Sequence, residues 1–101
     1  MKVRSVRPCS EFPDKLIVIC DLDRPLNIKL LATYLKSSKE FDKTIFLEKS
    51  DLAWITSGVK KILVNSNGKI TVSGADDIDD ALKVVDRIQK THSMALEGGV
   101  V

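Results

Sequence analysis

Asp21 and Asp23 close the apolar run of "VICDLDRPLN" (residues 18–27) with one residue between them. At the end of a strand, carboxylates at that spacing can transfer a phosphoryl group. One attacks phosphorus and the other relays the proton. Further along, the Ser/Thr of "ITSG" (55–58) could hold a phosphate, Lys60 or Lys61 could neutralise it, and the acidic run "SGADDIDD" (73–80) could hold Mg²⁺. Other nucleophilic chemistries lack their parts: His92 is the single histidine, so no Ser/His/Asp or Cys/His set can form, and no P-loop is present. Cys9 and Cys20, with ten residues between them, fit neither a redox pair nor a zinc knuckle. Cys20 lies in an apolar strand and reads as a small core residue, whereas Cys9 follows Pro8 in an irregular lead-in. No metal or cofactor site is expected.

The elements that must position these groups are bounded by composition. A chain of 101 residues supports one domain with a single core. Its 44% apolar and 30% charged residues are those of a globular protein, and with 5% aromatics the core must be mostly Ile, Leu and Val. A net charge of +2 does not diagnose a nucleic-acid partner. No apolar stretch approaches the roughly 18 residues that span a membrane, and "MKVRSVRPCS" lacks the apolar centre of a secretory signal. A cytoplasmic chain without a membrane partner is expected.

Residues 1–14 read as a basic arm carrying Lys2, Arg4 and Arg7, residues 15–92 as the domain, and residues 93–101 as a flexible tail. "KLIVICDL" (15–22) has the β-branched apolar run of a strand, which Pro25 stops. Ile28, Leu31, Ala32 and Leu35 recur at helical spacing, so a helix is predicted over 28–38 with Asn27 as its cap. "KTIFLEK" (43–49) and "LAWIT" (52–56) are candidate short strands. In "KKILVNSNGKITVSG" the pair Asn67-Gly68 turns a hairpin. Ile78, Ala81, Leu82, Val85 and Ile88 form the stripe of a second helix, capped by Asp77, with Asp79 and Asp80 in its first turn. The order β-α-β-β-β-β-α predicts a two-layer α+β domain. A curved, mostly antiparallel sheet of about five strands carries both helices on one face.

The uncovered face supplies the functional hint. Leu16, Val18 and Cys20 point to one side of their strand, and Ile17 and Ile19 to the other. Helices on one side only would leave aliphatic surface open for a partner. The candidate partner-binding residues are Ile17, Ile19, Leu63, Asn65, Lys69, Thr71 and Ser73; any phosphate contacts would fall to Lys60, Lys61 and Lys69.

The wording of several segments resembles one repeat of the archaeal and eukaryotic TATA-box-binding protein family. "LNIKLLA" (26–32) follows its L-D-L-x-x-I-A pattern, with Asn for Asp. "LVNSNGKITVSGADDIDDA" (63–81) follows its hairpin-to-helix frame, with Gly68, Lys69, Gly74, Ala75, Asp80 and Ala81 at matching positions. The likeness covers residues 15–91 in order. It implies the same two-layer fold, and, because the family carries two repeats per chain, a homodimer that sets two sheets edge to edge. That family kinks DNA with phenylalanine wedges. Here Asn65 and Lys49 stand at the two wedge positions, so the resemblance does not imply kinking.

The Asp21/Asp23 pair is similar to the first motif of the haloacid dehalogenase superfamily. However, Arg24 and Pro25 replace its Gly and Thr, and about fifty residues separate the first and last motifs. That is too few for a doubly wound parallel sheet. The leading expectation is therefore a non-enzymatic binding module whose open sheet face contacts a protein or a second copy of itself. A nucleic-acid-binding module without the wedges is the alternative, and a small Mg-dependent phosphatase using Asp21 and Asp23 the second alternative.

Overall fold

The strands and α-helices of the computed structural model are β1 (Lys2–Pro8), β2 (Leu16–Asp21), α1 (Ile28–Ser38), β3 (Lys43–Leu47), β4 (Leu52–Ser57), β5 (Lys60–Asn65), β6 (Lys69–Ala75) and α2 (Ile78–Gly98). The structure describes residues 2–39 and 41–98. Their strands form one six-stranded sheet in the order β1-β2-β6-β5-β4-β3, with every neighbouring pair antiparallel. The α+β architecture is as expected, with one more strand than the sequence suggests.

Period-two alternation sends Val18 and Cys20 of β2, Ile70 and Val72 of β6, Ile62 and Val64 of β5, and Ala53 and Ile55 of β4 to one side, where all are buried. Both helices cover that side. α1 lies over β3 and β4, α2 lies over β6 and β2, and the two helices touch each other. Ile28, Leu31 and Leu35 from α1 and Ala81, Val85 and Ile88 from α2 complete one continuous core.

The helix starts follow from local chemistry. Asn27 Oδ1 accepts the Leu30 N–H at 3.1 Å, and Asp77 Oδ1 accepts the Asp80 N–H at 2.7 Å. Each bond satisfies a donor that the first helical turn leaves free. α1 ends as Lys39 turns into the left-handed region (φ 57°).

The N-terminal segment differs from expectation. Instead of an irregular arm, Lys2–Pro8 form an edge strand paired with β2. A bulge between Val3 and Ser5 inserts Arg4, so Val3 and Val6 face the same side although three residues apart. That shift breaks the alternation by which a strand is recognised. Its consequence reaches Cys9, which is buried rather than carried on a loose arm; its N–H donates to the Lys15 carbonyl at 2.9 Å. At the other end α2 runs to Gly98, past the expected limit near residue 92. His92 and Ala95 are buried there, and burial of one face holds a helix that sequence propensity alone leaves frayed. Residues 99–101 of the expected tail lie outside the described residues.

Candidate interaction face

Because directly opposed residues of neighbouring strands share a face, the register fixes what the uncovered side presents. One row runs Ser5–Ile19–Thr71–Leu63–Trp54–Ile45 across all six strands. A second row, beside it, runs Arg7–Ile17–Ser73–Lys61–Thr56–Lys43. On the other flank Lys2, Asp21 and Lys69 share a row at the β1–β2–β6 end, and Asn65, Leu52 and Leu47 share one at the β5–β4–β3 end. The sheet therefore shows an aliphatic and aromatic middle with cations along its margins.

Exposure grades across the face. Ile17, Ile19 and Leu63 are half-buried among their neighbours. Trp54 and Ile45 are each 38% exposed and Leu47 is 40% exposed. Within this face the most accessible apolar surface thus lies over β3 and β4. Every residue expected on the partner face (Ile17, Ile19, Leu63, Asn65, Lys69, Thr71 and Ser73) belongs to these rows. Trp54, Ile45 and Leu47 are additions. The run "KTIFL" has no polar-apolar alternation from which the outward residues could be chosen.

Charge is unevenly placed: cations predominate in the strands and carboxylates at the start of α2, while Lys83, Arg87 and Lys90 follow further along that helix. Lys2, Arg4, Arg7, Lys43, Lys61 and Lys69 lie in the strands that form the open face, where Asp21 is the strand carboxylate among them. Asp76, Asp77, Asp79 and Asp80 gather instead at the start of α2, where the helix dipole favours them. Lys61 is also paired with Glu11 at 3.3 Å, an exposed contact that solvent weakens.

Lys60 belongs elsewhere, which corrects its grouping with Lys61 and Lys69 as a phosphate contact. Its ammonium meets Asp80 at 2.8 Å on the helix side, because adjacent strand residues point to opposite faces. Burial works against ionisation of Asp80, but the Lys60 ammonium and the Asp76 N–H outweigh it and hold the carboxyl below its ordinary range.

The aspartate motif makes a turn. Asp21 Oδ1 accepts the Asp23 N–H at 2.8 Å, and Arg4 reaches Oδ2 at 3.2 Å. Asp23 itself lies at φ 59°, a conformation that Asp and Asn tolerate in such turns. The Asp23 N–H, with Arg4 adding to it, keeps the Asp21 carboxyl below its ordinary range. Its proposed companions are not brought to it. Gly58 of "ITSG" donates its N–H to Asp42 at 2.7 Å in the β4–β5 turn, and Lys60 is engaged by Asp80. The acidic run follows the end of β6 that pairs with Leu16, whereas Asp21 pairs with Lys69 at the opposite end of that strand. Among the described residues, no three His, Cys, Asp or Glu side chains are grouped to hold a metal ion. Both cysteines are buried free thiols, and burial raises the pKa of Cys20.

His92 is the buried imidazole that the sequence leaves without a role. Its Nε2 accepts the Asn27 N–H at 3.0 Å, joining α2 to the cap of α1. Among the described residues no helix is long and apolar enough to cross a membrane. No protein-family model, curated protein or solved structure matches the chain.

Proposed function

We propose that the chain is a non-enzymatic binding module whose open sheet face docks a protein. The partner would present an apolar ridge with acidic groups on its margins. The observation carrying this reading is the row Ile19–Thr71–Leu63–Trp54–Ile45, an apolar band left uncovered on the side away from both helices. Contiguous apolar surface of that kind marks an interaction site, and a large aromatic at its exposed end is the type of residue that anchors interfaces. The cations of the flanking rows favour an acidic rim on the partner.

The architecture proposed with this function is that of a single TATA-box-binding-protein-like repeat, spanning β2 to α2, with β1 added outside it. The collinear wording of residues 15–91 and the order of elements after β1 support this reading. In such an arrangement β1 takes the outer edge of β2, so sheet-to-sheet joining would use another edge.

Trp54 is the sole tryptophan, so its fluorescence reports occupancy of the face directly. Proteins captured by the wild type are expected to be lost by both Leu63→Ser and Trp54→Ser, and to be retained as salt is raised. Capture unchanged by either substitution would refute the face as the docking surface. The flanking cations favour a second reading, a nucleic acid laid along the basic rows. In that case duplex binding would appear and would weaken steeply with ionic strength, with Lys61→Glu and Lys69→Glu each reducing it.

A further inference from the structure

Among the described residues the sheet has two unpaired edges, β1 and β3, and they are unlike. β1 carries the Arg4 bulge, ends on a proline that cannot donate a hydrogen bond, and bears Lys2, Arg4 and Arg7; these are the devices that blunt an edge against further pairing. β3 lacks the bulge and the proline and keeps only Lys43 of the charges. It pairs with β4 in uninterrupted register from Lys43 to Leu47, contains no proline, and has one charged residue in the sequence KTIFL. The apolar row of the open face also ends at this edge on Ile45, with Trp54 beside it and Leu47 two positions along β3. All three are more than a third exposed.

We propose that β3 pairs antiparallel with β3 of a second copy about a two-fold axis through Ile45, joining two six-stranded sheets into one. Ile45 is the middle residue of the five-residue strand, so this axis uses its whole length and sets Ile45 against its own symmetry mate. Thr44 then faces the second copy's Phe46, and Lys43 faces its Leu47, so no like charges are opposed within the strand. The apolar row becomes continuous across the join, running Leu63–Trp54–Ile45 in one copy and in reverse through the other. An isologous contact of this kind closes on itself and leaves the blunted β1 edges outside. The inference goes beyond the open-face reading and does not rest on it: it concerns backbone pairing at an edge and names a second copy as occupant.

The test is the oligomeric state of the full chain by light scattering over a range of concentrations. A dimer is expected. Ile45→Lys, which puts like charges face to face across the axis, is expected to raise its dissociation constant by about tenfold or more while the far-UV circular dichroism spectrum stays that of the folded chain. Opposed Cα atoms in an antiparallel pair are about 4.5–5.5 Å apart, within disulfide reach. Ile45→Cys should therefore form a disulfide-linked dimer on mild oxidation, whereas Ser5→Cys, in the middle of β1, should not. This variant decides the matter even if Ile45→Lys fails to fold. A monomer at all concentrations, a dimer indifferent to Ile45→Lys, or cross-linking through Ser5→Cys alone would overturn the proposal. Leu63→Ser lies two strands inside the edge and should leave the dimer intact, so loss of the open-face reading and loss of the β3 contact give different results.

Discussion

His92 bears the clearest titratable consequence at the scale of single residues. Since Nε2 accepts the Asn27 N–H, the neutral ring carries its proton on Nδ1, which is buried and has no hydrogen-bond partner among the described residues. Burial, with the nearby Arg24 charge adding to it, depresses the pKa below the ordinary 6.5. In the window between the depressed folded value and 6.5, the unfolded chain binds a proton that the folded chain does not. Stability is accordingly full above 6.5 and falls as pH drops through that window, by at most about 1.4 kcal/mol per pH unit. Denaturation followed from pH 8 to 5 should show this loss in the wild type and lack it in His92→Gln. The sequence offered a lone histidine with no signal of its partner, because Asn27 is 65 residues away. Asp77 and Asn27 were legible as caps, since the bonds they make close within three residues.

Among the elements, the β5–β6 hairpin is the most directly legible in the sequence, and its turn residue is the most demanding. Gly68 lies at φ 95°, and a Cβ built there would collide with the Arg24 carbonyl oxygen. The loop of residues 66–68 presses on the β2–α1 turn, whose Leu22 and Leu26 N–H groups donate to the Gly68 and Ser66 carbonyls at 3.0 and 2.7 Å. Gly68→Ala therefore combines an unfavourable φ with a backbone clash. It should lower unfolding free energy by more than about 1 kcal/mol, measurable by urea titration. An unchanged midpoint would contradict the close approach. β1 was the element that sequence could not reveal. Its valines are half-exposed, its charges suit solvent and its bulge spoils the period, so what makes it a strand is the hydrogen-bonding edge of β2, a partner supplied by the fold.

For the whole molecule, the governing feature is a sheet whose two faces do different work. Ile62 and Leu63 are chain neighbours on opposite sides of β5: the first is buried beneath the helices and the second lies in the middle of the open row. Ile62→Ala should cost about 2–5 kcal/mol of stability, through lost burial and the cavity left behind. Leu63→Ser should cost about 1 kcal/mol or less while removing partner capture. Chemical denaturation of the two variants beside the wild type checks the contrast; equal losses would mean that the open face is stabilised as a second core. The near-neutral total of +2 likewise hides a basic sheet face and an acidic helix start, a separation that appears only once the strands are placed in register.

What depends on near neighbours is legible along the chain: both helix starts with their caps, the hairpin glycine, the inward alternation of β2, β5 and β6, and so an α+β class. What depends on partners distant along the chain appears only in the fold. The fold made a strand of Lys2–Pro8, extended α2 past His92, and lined Trp54, Ile45 and Leu63 into one row. The physical reason is that capping bonds and periodicity close within a few residues, whereas register and edge exposure are fixed by hydrogen bonds between strands that a linear reading cannot pair.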